Sequence, residues 1–194
     1  MIVNFTRNSL QRLDNYPGKN KPGMTLIKDN LILTAKKGIP LPTPRTPNGI
    51  VAGWFLDLAG AQDPQRNREI LVTNNSIETR GETSLGIAAL SDGTIISSNR
   101  IIQKNGTGAT GITQLTSDSV IVNNVFSGYS NFGILIAPWK GLNGISNVLL
   151  NNKFKDFEAI TANIFMSTSH NIVMGKCDKL IDKGNYNTVI HSGQ

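Results

Sequence analysis

Residues 94–101 read TIISSNRI, and the same pattern of apolar and polar residues recurs six more times along the chain. When the seven stretches are aligned, an asparagine falls in the same column of six of them. They are residues 3–10 (VNFTRNSL), 25–32 (TLIKDNLI), 70–77 (ILVTNNSI), 94–101, 119–126 (SVIVNNVF), 147–154 (NVLLNNKF) and 171–178 (NIVMGKCD). A repeat of roughly 22 to 28 residues in a chain rich in Asn, Ser, Thr and Gly is typical of a solenoid, in which one supersecondary unit is stacked.

The shared column predicts a ladder of asparagine side chains along the stack. Apolar residues alternate with polar ones in each stretch, and this period of two is typical of strands. An asparagine at a bend accepts left-handed or bridge backbone conformations, and its amide can bond to the asparagine of the next repeat. The column contains Asn8, Asn30, Asn75, Asn99, Asn124 and Asn152, and Lys176 interrupts it. We therefore expect a C-terminal cap over residues 171–194, with residues 187–190 (NTVI) adding one short strand.

A second, weaker strand signal follows the first in most repeats and begins with a glycine. It reads GIVAG, GIAAL, GITQL and GILIA from Gly49, Gly86, Gly111 and Gly133, and EAITANIF near residue 159 lacks the glycine. Two short strands per repeat, each pairing with its equivalent in the next repeat, predict an all-β parallel β-helix of about seven coils. We predict one domain over residues 1–194, with one long loop insertion at about residues 33–69 that begins with a proline-rich segment.

The composition limits the classes of partner. The chain has 194 residues, a formal net charge of +6 and a pI near 9.6, but only 16% of its residues are charged. No run of five or more like charges occurs and aromatic residues are sparse, so neither a nucleic-acid arm nor a base-stacking platform is predicted. No apolar run reaches the ~18 residues that a membrane span requires. The positive balance permits an acidic partner without requiring one.

Motifs for cofactors and metals are absent from the sequence. Cys177 is the single cysteine, which excludes an internal disulfide and a cysteine-built metal cluster. There is no phosphate loop, dinucleotide fingerprint or zinc spacing, so we expect no cofactor and no metal. The N-terminus, MIVNFTRNSL, lacks the apolar core of a secretory signal. Because the first repeat begins at residue 3 without a capping element, we expect the chain to be part of a longer protein.

The asparagine column, the Gly-Ile strands and the closing IDKGNYNTVI (residues 181–190) resemble the repeats of the pectin lyase-like superfamily of right-handed parallel β-helices. The resemblance covers residues 3–190 outside the insertion and implies a right-handed coil. The superfamily includes polysaccharide lyases, hydrolases and epimerases, phage tailspikes, and surface proteins without known catalysis. The resemblance implies an extracellular or cell-surface location. By analogy with the tailspikes alone, an oligomer is one state that the protein could adopt.

The motifs of the enzymatic members are missing from this chain. It has neither the Gly-His-Gly nor the clustered aspartates of galacturonan hydrolases, and Asp63-Pro64 is followed by Gln65 where alginate epimerases carry a histidine. The catalytic residues are therefore unknown, and the weak candidates are Asp92 and Asp118, just before the ladder strands of neighbouring repeats. Two stacked carboxylates could serve a retaining glycosidase, whereas an aspartate before a strand is usually a turn former that accepts backbone N–H bonds.

A row of side chains five residues after the ladder asparagine is the candidate binding site. It contains Arg80, Lys104 and Tyr129 on three consecutive repeats. Cations can bind the carboxylates of an acidic sugar chain while a tyrosine ring stacks on a pyranose face, and the alternative is a solvated row of turn residues. Trp139 and Lys140, in the loop IAPWKG, are a second candidate sugar contact.

The sequence leaves two functions open. The one we favour is a non-catalytic glycan-binding or structural β-helix, a module of a larger surface or phage protein that engages an acidic polysaccharide through the basic and aromatic row. The other is a polysaccharide lyase or a glycoside hydrolase. In a lyase, Arg or Lys of the row would neutralise a sugar carboxylate while a base abstracts the neighbouring proton, and in a hydrolase Asp92 and Asp118 would be the two carboxyl groups.

Overall fold

The computed structural model describes residues 25–34, 48–52, 70–81, 83–139 and 142–191. Within these ranges the protein is all-β, with fifteen strands in two sheets and no helix. Every pairing between these strands is parallel. The predicted all-β class is confirmed for this part of the chain. The stretch at residues 3–10 with Asn8, and most of the predicted insertion, lie outside the described residues.

A seven-stranded sheet contains the strand that precedes each ladder position. Its strands, in spatial order, are β1 (Thr25–Lys28), β4 (Ile70–Thr73), β7 (Ile95–Ser97), β9 (Val120–Val122), β11 (Val148–Leu150), β13 (Ile172–Met174) and β15 (Thr188–Ile190). The strands from β1 to β13 each direct one residue of the same register inward, so the sheet contributes one buried column of Ile27, Val72, Ile96, Ile121, Leu149 and Val173.

An eight-stranded sheet contains the remaining strands. They are β2 (Leu31–Thr34), β3 (Asn48–Ala52), β5 (Ser76–Arg80), β6 (Leu85–Ala89), β8 (Arg100–Gln114), β10 (Val125–Ile136), β12 (Lys153–Met166) and β14 (Leu180–Asp182). The main path of the sheet runs β14-β12-β10-β8-β5-β2, and β6 joins β3 to β8. The first half of β8 pairs with β5 and its second half with β6, so one long strand replaces two shorter ones.

The glycine-led signals are confirmed as strand segments in register. Ile50 pairs with Ile87, Ile87 with Ile112, Ile112 with Ile134 and Ile134 with Ile164, and all five side chains are buried. The repeat nevertheless has three strand segments where the sequence predicted two, because the bend at the asparagine divides the aligned stretch. The chain passes between the two sheets and pairs each time with the preceding repeat. This arrangement is compatible with a parallel β-helix.

The predicted asparagine ladder is confirmed from Asn30 to Asn152. From Asn75 onward, the Oδ1 of each asparagine accepts two hydrogen bonds from the previous one. Asn99, for example, donates to Asn124 Oδ1 from its backbone N–H at 2.9 Å and from Nδ2 at 3.0 Å. The other amide hydrogen of Asn99 donates to the Val72 carbonyl at 2.9 Å, so the buried amide is satisfied. We call Asn30, Asn75, Asn99, Asn124 and Asn152 the first ladder.

The left-handed backbone at this bend belongs to the residue before the ladder asparagine. The φ angle is 54° at Asn74, 55° at Ser98 and 56° at Asn123. The expectation that the ladder asparagine itself has this conformation is therefore wrong at these repeats. Asn is among the non-glycine residues enriched in this region, and the turn leaves the next N–H directed at the neighbouring Oδ1.

A second ladder, which the sequence did not predict, precedes the strands of the seven-stranded sheet. It contains Thr94, Ser119, Asn147, Asn171 and Asn187. The backbone N–H of each residue donates to the side-chain oxygen of the next, at 3.2, 3.1, 2.9 and 2.7 Å in turn. The chain thus bends before and after the strands of the seven-stranded sheet. At both bends a side-chain oxygen of the next repeat accepts a backbone N–H.

The last repeat is shorter than the others. The second ladder advances 16 residues from Asn171 to Asn187, compared with 24 from Asn147 to Asn171. After Lys176 the chain forms β14 and then β15, so the short strand predicted at NTVI is confirmed and β14 is an addition. β14 pairs only with residues 164–166 of β12. Within the described residues, no strand therefore pairs with the first half of β12 along the edge that faces the C-terminal end of the stack.

Candidate functional site

The predicted row is brought together on the eight-stranded sheet. Arg80 is the last residue of β5 and pairs with Lys104 of β8. Tyr129 lies on the adjacent strand β10, between the register pairs Gly128–Gln103 and Ser130–Gly106. The pairing shifts at this point, and such bulges change the direction of side chains. The side chains of Arg80 and Lys104 and the residue Tyr129 are 58%, 49% and 37% exposed.

Glu78, which the sequence reasoning missed, binds both cations of the row. Its Oε1 lies 2.6 Å from Arg80 Nη2 and its Oε2 lies 3.3 Å from Lys104 Nζ. The hydrogen bond from Arg80, and then the one from Lys104, holds the pKa of Glu78 below its ordinary value. Because Glu78 stands two residues before Arg80, both point to the same face of the strand, which is the signal that could have identified it.

An open cavity of about 330 Å³ lies beside Lys104 and Tyr129. We call it the flank cavity; its lining residues are Gln103, Lys104, Gly128, Tyr129, Asp156 and Glu158. Gly128 has φ of 94°, and a Cβ there would lie 2.1 Å from the Gln103 carbonyl oxygen. Only glycine allows this close approach of β10 to β8, so the cavity keeps its shape through that residue.

The flank cavity has mixed charge. Glu158 pairs with Tyr129 across β10 and β12, and the exposed Asp156 lies on the same side. Together with Glu78, these carboxylates make three acidic side chains against the two cations Lys104 and Arg80. Gln103 is 1% exposed, and its side-chain amide has no hydrogen-bond partner in the described part of the chain. A buried amide of this kind requires water or another polar group.

The two candidate catalytic aspartates lie on the bend of the second ladder. Asp92 Oδ1 accepts the backbone N–H of Ser117 at 2.8 Å, which is the geometry of a turn former. Asp118 is exposed with φ of 56°. Thr94 bonds to Ser119 of the next repeat, so equivalent positions of these two repeats are 25 residues apart. Asp92 is therefore equivalent to Ser117, and Asp118 is equivalent to Gly93. The two carboxylates therefore occupy different positions of the repeat.

Trp139 is not among the residues that line the flank cavity. It lies three residues beyond the end of β10 and forms a tight antiparallel bridge with Leu142. The two backbone hydrogen bonds of this bridge measure 3.0 and 2.9 Å. Lys140, its predicted companion, lies outside the described residues.

Cys177 packs against the hydrophobic core near the last repeat. Burial raises the pKa of its thiol to about 11, so the thiol is protonated at neutral pH and is a poor nucleophile. Among the described residues, no group of three or more His, Cys, Asp or Glu side chains could hold a metal ion. No helix there is long and apolar enough to cross a membrane.

One outward row of the seven-stranded sheet is apolar throughout, which the sequence analysis missed. Leu26 is 50% exposed and Ile95 is 42% exposed. The outward row in register with them is Leu26, Leu71, Ile95, Val120, Val148 and Ile172. The signal was the triplets VIV, VLL and IVM, which are apolar at inward and outward positions alike. Exposed apolar surface of this kind is a feature of interaction faces.

A second cavity, of about 470 Å³, lies at the C-terminal end of the first ladder. We call it the end cavity; its lining residues are Asn123, Asn151, Asn152, Lys153, Phe154, Lys155, Lys176 and Asp178. The short last repeat leaves the edge of β12 open here. In the sequence, Lys176 is visible only as an interruption of the asparagine column. That interruption does not predict a cavity beside the residue.

Comparisons with known proteins find no match for this chain: no family model fits it, and neither a curated protein nor a solved structure matches it.

Proposed function

We propose that this protein is a carbohydrate-binding module whose flank cavity holds part of a polysaccharide chain. The observation that carries the proposal is the placement of Lys104, Tyr129, Asp156 and Glu158 around one open cavity. A pyranose has an apolar face and a rim of hydroxyl groups. A half-exposed tyrosine ring can pack on that face while the charged side chains exchange hydrogen bonds with the rim.

The charges around the cavity favour a neutral or amino sugar over the acidic sugar expected from the row alone. Glu78 already binds Arg80 and Lys104, so a sugar carboxylate would have to compete with it for both cations. Asp156 and Glu158 would repel an added anion. Their carboxylates can accept hydrogen bonds from sugar hydroxyls or from an ammonium group.

The same proposal assigns the chain to a right-handed parallel β-helix of about seven coils, similar to pectin lyase-like proteins at cell surfaces or on phages. The parallel register and the first ladder support this assignment. A solenoid offers an extended surface along its axis, which suits a long polymer better than a single small molecule.

Affinity electrophoresis tests the proposal. The protein is run through gels that contain neutral, amino-sugar or uronate polysaccharides, while ultraviolet absorbance of unsaturated sugar and new reducing ends are followed in parallel solutions. We expect retardation by at least one neutral or amino-sugar polymer without product. Absence of retardation by every neutral and amino-sugar polymer would overturn the proposal, and product formation would favour the lyase or hydrolase instead.

Glu78→Gln is a matched variant for the charge argument. It keeps the shape of the side chain but releases Arg80 and Lys104 from a carboxylate. We expect this variant to be retarded more strongly than the original protein by uronate polymers and equally by neutral ones. Equal retardation by uronate polymers would show that Glu78 does not control charge selectivity.

A further inference from the structure

The first ladder ends with donors that have no acceptor. At the last complete step, Asn124 donates to Asn152 Oδ1 from its backbone N–H at 3.1 Å and from Nδ2 at 3.0 Å. The next residue in the column is Lys176, whose side chain can only donate. One amide hydrogen of Asn152 bonds to the Ile121 carbonyl at 2.8 Å. Its other amide hydrogen and its backbone N–H have no acceptor within the described residues.

The end cavity surrounds this terminal asparagine. Asn152 is 6% exposed and is one of the residues that line the cavity, so it is a largely buried side chain at the cavity wall. Three lysines, Lys153, Lys155 and Lys176, line the cavity against the single carboxylate of Asp178. A volume of about 470 Å³ lies within the range of small-molecule sites. The end cavity is therefore positively charged, and Asn152 in its wall has two N–H donors without an acceptor among the described residues.

The second ladder shows how this chain closes such an end. Asn187 Nδ2 donates to Asp182 Oδ1 at 2.6 Å, and the same oxygen accepts the Gly184 N–H at 2.9 Å. A carboxylate oxygen thus accepts the amide hydrogen that a further asparagine would accept. At the first ladder, no carboxylate of the described residues bonds to Asn152.

We propose that the end cavity binds the carboxylate or sulfate group of an acidic sugar, with one oxygen in the position of the missing Oδ1. That oxygen would accept the backbone N–H and the amide hydrogen of Asn152, and the lysines would neutralise its charge. The end cavity shares no residue with the flank cavity. Binding there can therefore succeed or fail independently of the proposed polysaccharide site.

Nuclear magnetic resonance of the 15N-labelled full chain tests the proposal directly. The protein is titrated separately with galacturonate, inorganic sulfate and galactose. We expect saturable downfield movement of the Asn152 amide resonance with galacturonate, with sulfate or with both, and the two arms identify the preferred anion. Galactose should not move it. No movement with either anion, or equal movement with galactose, would overturn the proposal.

Lys176→Asn separates the missing acceptor from the general charge of the cavity. The new Oδ1 would complete the ladder and occupy the anion position, so we expect affinity to fall by about tenfold, as for one charge-assisted hydrogen bond. Lys176→Ala removes the same charge without supplying an acceptor and should weaken binding only about threefold. Equal affinities for the original protein and Lys176→Asn would contradict the proposed geometry.

A second variant keeps the test decisive if Lys176→Asn does not fold. Lys153→Ala combined with Lys155→Ala removes two exposed charges and leaves the ladder intact. We expect about tenfold weaker anion binding with an unchanged circular dichroism spectrum. Unchanged anion affinity in this folded variant would overturn the assignment of the cavity.

Discussion

The two ladders meet the same need with different residues. Each bend of the seven-stranded sheet turns a backbone N–H along the stack, where it needs an acceptor from the next repeat. The first ladder uses asparagine throughout, and each side chain accepts two bonds and donates another to a carbonyl. The second uses Thr, Ser and Asn, and a hydroxyl there accepts the same N–H. The comparison teaches that the fold requires an acceptor at each bend. The Thr94 and Ser119 hydroxyls donate only to carbonyls of their own repeat, whereas the asparagine amide adds a second bond to the next repeat.

The largest effect should come from the middle of the first ladder. Asn124→Ala would remove the acceptor of the Asn99 backbone N–H and of one Asn99 amide hydrogen, and it would remove the amide donor to the Ile96 carbonyl. We expect the free energy of unfolding in urea to fall by about 3 kcal/mol, since several buried groups lose their hydrogen bonds.

The neighbouring residue supplies the control for that variant. Asn123→Gly should change the stability by less than about 0.5 kcal/mol, because glycine accepts the φ of 56° found there. A loss below about 1 kcal/mol for Asn124→Ala would show that the first ladder contributes little.

A smaller loss is expected from the second ladder. Ser119 Oγ accepts the Thr94 N–H at 3.2 Å and the Gln114 Nε2 at 3.0 Å in a buried position. Ser119→Ala should therefore cost about 1.5 kcal/mol in the same urea measurement. Ser97→Ala, which removes a half-buried hydroxyl bonded to Thr73, is the control and should cost less. Equal losses for Ser119→Ala and Asn124→Ala would remove the distinction between the ladders.

The first ladder could be predicted from the sequence because one residue type recurs in one column. The second could not, because Thr94, Ser119 and Asn147 share only the ability to accept a hydrogen bond. The strands and their buried columns followed from the period of two in the apolar residues, and the parallel pairing followed from the repetition of the whole unit. The short last repeat did not, because β14 lies where the column of asparagines has already ended.

The neighbours of Tyr129 show why part of the candidate site was missed. Tyr129 is five residues after Asn124, and counting five residues after Asn152 leads to Phe157. The structure instead pairs Tyr129 with Glu158, because the register shifts between Phe126 and Gly128. Counting along the sequence placed Arg80, Lys104 and Tyr129 together, but it could not anticipate a bulge.

Removing the end of the second ladder should have a modest effect. Asp182 is exposed and accepts hydrogen bonds from Asn187 and Gly184. We expect Asp182→Ala to lower the free energy of unfolding by less than about 1 kcal/mol. Asp182→Asn retains an acceptor and should cost still less. Thermal unfolding followed by circular dichroism distinguishes the two variants, and a larger loss for Asp182→Asn would contradict the assigned role.

Cys177, near the end of the first ladder, should contribute the smallest effect. Because folding raises the thiol pKa to about 11, the folded state holds a proton that the unfolded chain releases at lower pH. Stability should therefore fall as the pH rises from about 9 towards 11, by less than about 1 kcal/mol at pH 10 for this partly exposed group. Urea unfolding of the original protein and Cys177→Ala should diverge only in this range. Parallel pH profiles would contradict the raised pKa.

The most direct test of the proposed function uses two variants of Tyr129. It measures how tightly they bind the polysaccharide that retards the original protein in affinity electrophoresis. Isothermal titration calorimetry compares the original protein with Tyr129→Phe, which keeps the ring, and Tyr129→Ala, which removes it. We expect Tyr129→Phe to bind within about threefold of the original protein and Tyr129→Ala to bind at least about tenfold more weakly, since ring stacking supplies much of the contact. Unchanged affinity in a folded Tyr129→Ala would contradict a sugar site in the flank cavity.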